Sequence, residues 1–209
     1  MNKLLTPELI AGAMNWNDYY ELTERLVSEG KTSGPNQTVA LINFTRLNLQ
    51  RMKRVYKTTV LTENTLNLIK SISKRLTWLV ITEPWCGDAA QNLPVIVRMA
   101  EINSLISLKV ILRDEHLEIM DAFLTNGGRS IPKLICLDTE SLEVIGSWGP
   151  RPQFFQDMVL NYKKNSNLPF PEFVETLHKA YTLDKGHKMQ QELSGAINNW
   201  LEMESKKIS

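Results

Sequence analysis

Apolar residues recur at helical intervals toward both ends of this chain and give way in the middle to short, continuous apolar runs. Thr6-Pro7-Glu8 offers an N-cap type residue, a proline for the first helical position and an acid for the first turn. Helical spacing then continues to about Glu29, so a helix or helix pair starts there. Gly30 to Asn36 is a turn cluster. Beyond it Leu41, Phe44, Leu47, Leu49, Met52 and Val55 repeat at helical intervals, and Arg46, Arg51, Lys53, Arg54 and Lys57 fall mostly on the other face. A further helix from Thr62 to Lys70 makes three to four helices before the first strand.

At Thr77 the period changes. Trp78 to Thr82 is a short apolar, β-branched run closed by Glu83-Pro84, as a buried strand would be. A helix from about Cys86 to Glu101 and a second buried strand from Leu105 to Leu112 follow. Asp114 is placed to cap a short helix over Leu117 to Leu124, which Asn126-Gly127-Gly128 breaks. Ile131 to Leu137 and Leu142 to Trp148 are two more strands, joined by a tight turn at Asp138 to Ser141 into a hairpin. From Arg151 the chain is helical, with Phe154, Phe155, Met158, Val159 and Tyr162 on one stripe. The order predicts an α/β fold in three layers, a mixed sheet of about four strands between helices.

Three segments are expected: a helical N-terminal extension over 1–75, a core over 76–164, and a helical C-terminal extension over 165–209, all in one compact unit. Asn165 to Pro171 separates the core from the last helices, which must bury their apolar faces against it. Lys185, His187 and Lys188 near a glycine mark a turn between helices.

Composition narrows the function classes. At 43% hydrophobic over 209 residues the chain can bury a sizeable core, and 24 basic against 23 acidic side chains give no global reason to expect nucleic acid or an anionic membrane. The N-terminus builds no signal-type apolar run and no stretch approaches 18 apolar residues, which predicts a cytoplasmic protein. Three scattered histidines and two cysteines fifty positions apart suit neither a metal site nor a disulfide framework.

The chemistry-bearing candidate is Trp85-Cys86-Gly87-Asp88-Ala89, where a buried strand ends and a helix begins. A sulfur there faces unsatisfied N–H groups and the positive end of the helix dipole, which favours thiolate, whereas Asp88 opposes it. The alternative is that Cys86 is a small apolar filler.

This turn resembles the Trp-Cys-Gly-Pro-Cys active-site turn of thioredoxins. Pro94, eight residues after Cys86, matches the kink proline of that family's following helix. Ile131-Pro132 resembles its cis-proline loop, and Trp148-Gly149-Pro150 the loop that completes its peptide-docking surface. The chain is also similar over most of its length to bacterial thioredoxin-like proteins with this turn, an Asn-Gly-Gly-Arg-Ser-Ile-Pro segment (126–132) and a Trp-Gly-Pro-Arg-Pro segment (148–152). The likeness implies a thioredoxin-like fold and a cis bond before Pro132. Two departures stand out: the resolving cysteine's position is Ala89, and the family's buried acid, six residues before the cysteine, is Val80.

Two functions follow. In one, Cys86 is the catalytic residue of a monothiol thiol–disulfide oxidoreductase or redox-responsive protein, its partners being protein or small-molecule thiols and disulfides, with an external thiol such as glutathione as co-substrate and no other cofactor. In the other, the chain is a binding or adaptor module using the surface of Trp85, Pro132 and Trp148, with the chemistry lost. Trp85, Gly87, Asp88, Ile131, Pro132, Trp148 and Gly149 are the expected peptide or thiol contacts, and Arg129 and Arg151 could each hold a carboxylate. Trp148 is evenly balanced between this surface and the core. Cys136 lies four residues into its strand, roughly 13 Å along an extended chain at about 3.3 Å per residue; it is expected in the core, not as a resolving thiol. An iron–sulfur role has the least support, because the turn departs from the Cys-Gly-Phe-Ser of cluster-binding monothiol glutaredoxins.

Overall fold

Side-chain caps set where the N-terminal helices begin. The computed structural model describes residues 4–165 and 167–208. Leu9 donates its N–H to Thr6 Oγ1 at 3.2 Å and opens α1 (Pro7–Gly12). Asn15 caps α2 (Trp16–Ser28) in a reciprocal capping box with Asp18, Thr38 caps α3 (Val39–Thr58), and Thr62 caps α4 (Glu63–Ser71). The first helical stretch is therefore a pair, divided where Asn15 takes an extended backbone.

The core elements are β1 (Leu76–Thr82), α5 (Gly87–Ala100), β2 (Ile106–Leu112), α6 (Leu117–Ala122), β3 (Lys133–Asp138) and β4 (Val144–Trp148). The sheet order is β2-β1-β3-β4, with β1 parallel to β2, β3 antiparallel to β1, and β3–β4 the expected hairpin. Every residue of β1 is buried, which accounts for its unbroken apolar run. Its side chains alternate between two cores: Trp78 and Val80 pack with Leu93 and Ile96 of α5, Met52 of α3 and Ile69 of α4, while Leu79 and Ile81 pack with Ile119 of α6 and Ile135 of β3. Helices thus cover both faces, an α/β layering of thioredoxin type.

Two local expectations need correction. Asp114 does not cap α6: it sits in a 3-10 turn (Arg113–Glu115) and bonds the Arg113 guanidinium at 2.7 Å, and the N-cap residue of α6 is His116, which makes no side-chain cap bond. Phe154 leaves the apolar stripe and is half exposed, because its neighbour Phe155 takes the buried position.

The C-terminal helices are α7 (Gln153–Asn165), α8 (Phe170–Asp184) and α9 (His187–Ile208). α8 turns into α9 at Lys185 and Gly186, both at positive φ (+55° and +81°). Phe155 of α7 stacks on Tyr181 of α8 at 3.8 Å between centroids, and Tyr162 stacks on Phe173 at 4.0 Å. α9 crosses β4, where the Trp200 indole lies flat against Gly146 in space that a Cβ would fill. Among the described residues no helix is long and apolar enough to cross a membrane.

Candidate functional site

Cys86 ends the loop after β1 and is the N-cap of α5. Its backbone is extended, and Sγ accepts the Ala89 N–H at 3.5 Å, as a cap side chain must to satisfy a free donor in the first turn. The thiol hydrogen is donated to the Ile131 carbonyl at 3.2 Å. Ile131–Pro132 is cis, as the resemblance implied, and Gly149–Pro150 is cis as well. Gly149 has φ +125°, and a Cβ there would overlap the Pro132 carbonyl, so only glycine lets these two loops close on each other.

The charges around the sulfur resolve the direction left open by the sequence. Burial pushes the Cys86 thiol up to about 12, and the Asp88 charge adds to the rise; the N–H groups of Ala89 and Asp88 and the Arg151 cation oppose it without offsetting it. The Asp88 carboxylate accepts from Arg151 Nη2 at 2.6 Å and from the Tyr181 hydroxyl at 2.8 Å. Arg151 Nη1 donates to Gln156 at 2.7 Å. Arg151 is therefore committed to Asp88.

The other expected site residues separate. Trp85 is half-buried beside Cys86, with the Arg113 guanidinium 4.8 Å from its ring centroid. Ile131 and Pro132 are buried behind the sulfur. Trp148 is buried, its indole N–H donated to Glu192 of α9 at 2.8 Å, which takes it off any open surface. Arg129 is exposed and held by both oxygens of Asp121 at 2.6 and 2.7 Å. Cys136 is 2% exposed, opposite Trp78 in the β1–β3 register. It belongs to the core on one face of the sheet and Cys86 to the core on the other, so the two thiols cannot meet. Val80 fills the family's acid position as a buried core residue.

Sequence reading missed the contribution of the extensions. Gly87 has the His178 ring against it: a Cβ there would stand 3.0 Å from both Cε1 and Nε2. His178 Nδ1 accepts from Gln91 Nε2 at 3.2 Å, which leaves the ring proton on Nε2, and burial beside Arg51 and Arg54 lowers its pKa to about 4. The available signal was Phe173, Leu177 and Tyr181 at four-residue intervals, an apolar stripe ending in a hydroxyl. Glu83, three residues before Cys86, was also missed. It is fully buried, takes the Ser33 hydroxyl and the Asp114 N–H (2.8 Å), and ties the 32–34 loop to the core.

Between α3 on one side and α7–α8 on the other runs a groove in two adjoining lobes of about 690 and 670 Å³. The first is floored by Trp85, Cys86, Gly87 and Asp88 and walled by Leu41, Leu160 and Phe173. The second is lined by Leu47, Arg51, Arg54, Gln91 and Lys179. Phe44, Phe170, Val174 and His178 belong to both. Among the described residues no three His, Cys, Asp or Glu side chains converge as metal ligands would.

The sequence profile described as thioredoxin matches residues 34–166. An HIV epitope-scaffold crystal structure is 16% identical, with 93% of this chain and 96% of that one aligned at a TM-score of 0.57. A protein of unknown function from Pseudomonas aeruginosa is also 16% identical, over 83% of this chain and 99% of its own, at a TM-score of 0.46. No protein with a curated description matches. Because the profile spans well over half of the chain, from the loop before α3 to the end of α7, the chain belongs to the thioredoxin family.

Proposed function

We propose that the protein is a thioredoxin-fold binding module in which the Cys86 turn has become the floor of a ligand groove. The observation that carries this reading is the state of the sulfur: it lines the groove as a neutral thiol, its hydrogen given to the Ile131 carbonyl and its neighbouring charge, Asp88, unfavourable to thiolate. A thiolate would lose that bond and face a carbonyl oxygen and a carboxylate together. The groove, by contrast, combines apolar walls with a few placed polar groups, as small-ligand sites do.

A second reading keeps Cys86 as a monothiol oxidoreductase residue, favoured by the Ala89 N–H donated to Sγ at the N-terminus of α5 and by a groove that reaches the sulfur. Here the thiolate would displace one sulfur of a partner disulfide, form a mixed disulfide and release the other sulfur as thiolate. An external thiol such as glutathione would then free Cys86, with the partner's sulfur passing to that thiol's disulfide.

The pH dependence of iodoacetamide alkylation, with Cys86→Ser and Cys136→Ser as controls, separates the two. The binding module predicts that Cys86 reacts more slowly at pH 7–8 than glutathione does, with a rate still rising at pH 10. An inflection assigned to Cys86 below the free-thiol value of about 8.5, with a glutathione mixed disulfide trapped there, would replace this reading with the monothiol one.

A further inference from the structure

Three cations in the second lobe, Arg51, Arg54 and Lys179, have no carboxylate within ion-pair distance among the described residues. The lobe contains one acid, the exposed Glu175. Arg51 spends one nitrogen on the Asn48 side chain, and burial together with Arg54 lowers its pKa, so the fold tolerates a desolvated, repelled cation there. His178 Nε2–H has no acceptor among the described residues. Two of these donors come together: an atom at the Cβ position of Gly87 would lie 3.0 Å from His178 Nε2 and 3.9 Å from Arg51 Nη1, and Arg54 and Lys179 line the same lobe. The two lobes meet at this junction.

The rest of the groove suits a different chemistry. Phe44, Leu41, Leu160, Phe170, Val174 and Phe173 line it, and Phe170 and Leu160 remain 61% and 41% exposed. Both walls are helices, whose interior N–H and C=O groups are already paired. An extended peptide would find no strand edge to pair with, and its own backbone would be buried without partners. A hydrocarbon chain needs none.

We infer that the groove binds a long-chain carboxylate, with the carboxylate at Arg51, Arg54 and His178 and the alkyl chain along Phe44, Phe170 and Leu160 toward Trp85. The inference rests on reading the groove as a binding site, but the two fail separately. A reactive Cys86 thiolate overturns that reading, whereas an inert Cys86 in a chain that ignores fatty acid overturns only the ligand class.

The test is calorimetric titration of the full chain with myristate below its micellar concentration, with Trp fluorescence as a second readout. Saturable one-to-one binding is expected, with no binding of hexanoate and at least tenfold weaker binding of tetradecyltrimethylammonium, which has the same tail with the opposite charge. Arg54→Glu combined with Lys179→Glu, both at exposed positions, is expected to weaken myristate at least tenfold, and Val174→Trp to block it by filling the groove. Circular dichroism and a melting curve accompany each variant, and if Val174→Trp does not fold, the charge-reversed pair decides. Absence of saturable myristate binding, equal affinity for the cationic amphiphile, unchanged affinity in the charge-reversed pair, or tight binding of an acidic amphipathic peptide in its place would each overturn the proposal.

Discussion

Tyr181, on α8, the first helix of the C-terminal extension, donates a 2.8 Å hydrogen bond to the carboxylate of Asp88, two residues past Cys86. Asn92 Nδ2 bonds both the Asp88 carbonyl (2.9 Å) and the Tyr181 hydroxyl (3.3 Å), and Phe155 stacks on the same ring. The extension is thus anchored on the turn that in its family carries the chemistry, and it forms one wall of the groove above that turn. Any change at Asp88 is felt both by the sulfur and by α8.

Asp88→Asn should separate these effects. It leaves the Arg151 cation buried without its charge partner, which costs about 3 kcal/mol in urea denaturation, while Tyr181→Phe costs about 1.5 kcal/mol through the lost bond to a charged acceptor. Removing the Asp88 charge also removes one of the causes that raise the Cys86 pKa and leaves Arg151 to lower it. Alkylation of Cys86 at fixed pH near 9 should therefore quicken roughly tenfold, the equivalent of one pKa unit. An unchanged rate would show that burial alone controls the thiol.

Cys136 should behave as a core residue. Burial pushes its thiol up to about 12, and it lies across from Trp78. Cys136→Ser places a hydroxyl among apolar atoms and should cost about 1–3 kcal/mol. In the native chain Cys136 should resist a thiol reagent that modifies it at once in denaturant.

The core was legible because its signals are local. Trp78 to Ile81 is apolar throughout, as suits burial on both faces of a central strand, and Cys86, Pro94, Ile131-Pro132 and Trp148-Gly149-Pro150 stand in the order of the family's landmarks. The site was legible as a turn and not as a groove. Where α8 sits on the core depends on contacts such as His178 on Gly87 and Phe155 on Tyr181, which join positions far apart in the chain. Trp148 could not be assigned from sequence because its core neighbours and the acceptor of its indole N–H, Glu192, come from α9, and Arg151 read as a ligand for a carboxylate that turned out to be Asp88 of the same chain. Glu83 gave no sign because a lone acid after a strand reads as a turn residue until Ser33, fifty positions earlier, is seen to donate to it.

Acid should loosen α8 through His178. The ring is neutral in the fold, with a pKa of about 4 against an ordinary value of 6.5, held down by burial and by Arg51 and Arg54 of α3, against the opposing pull of Asp88 of α5. A depressed base contributes its stability fully above the unfolded value and loses it as pH falls through the folded one. Stability should therefore decline between about pH 6.5 and 4, by up to about 3 kcal/mol at 1.36 kcal/mol per unit. His178→Gln should flatten that window, and an NMR titration should place the His178 pKa well below 6. A ring titrating near 6.5 would mean that α8 does not bury it.

Gly87→Ala tests how tightly the extension is held to the turn. Gly87 is the first residue of α5, where alanine is intrinsically the better helix former by about 1 kcal/mol, so a local account predicts stabilisation. The added methyl would instead stand 3.0 Å from the His178 ring, which Gln91 holds on its other side. Overpacking of this kind costs about 1–3 kcal/mol. The variant should be less stable than the parent, with faster hydrogen exchange over 170–184, and His178→Ala in the same chain should recover most of the loss, as expected for two residues in contact. If Gly87→Ala is instead more stable and exchange over α8 is unchanged, the extension does not press on the Cys86 turn, and the groove loses the wall that gives it depth.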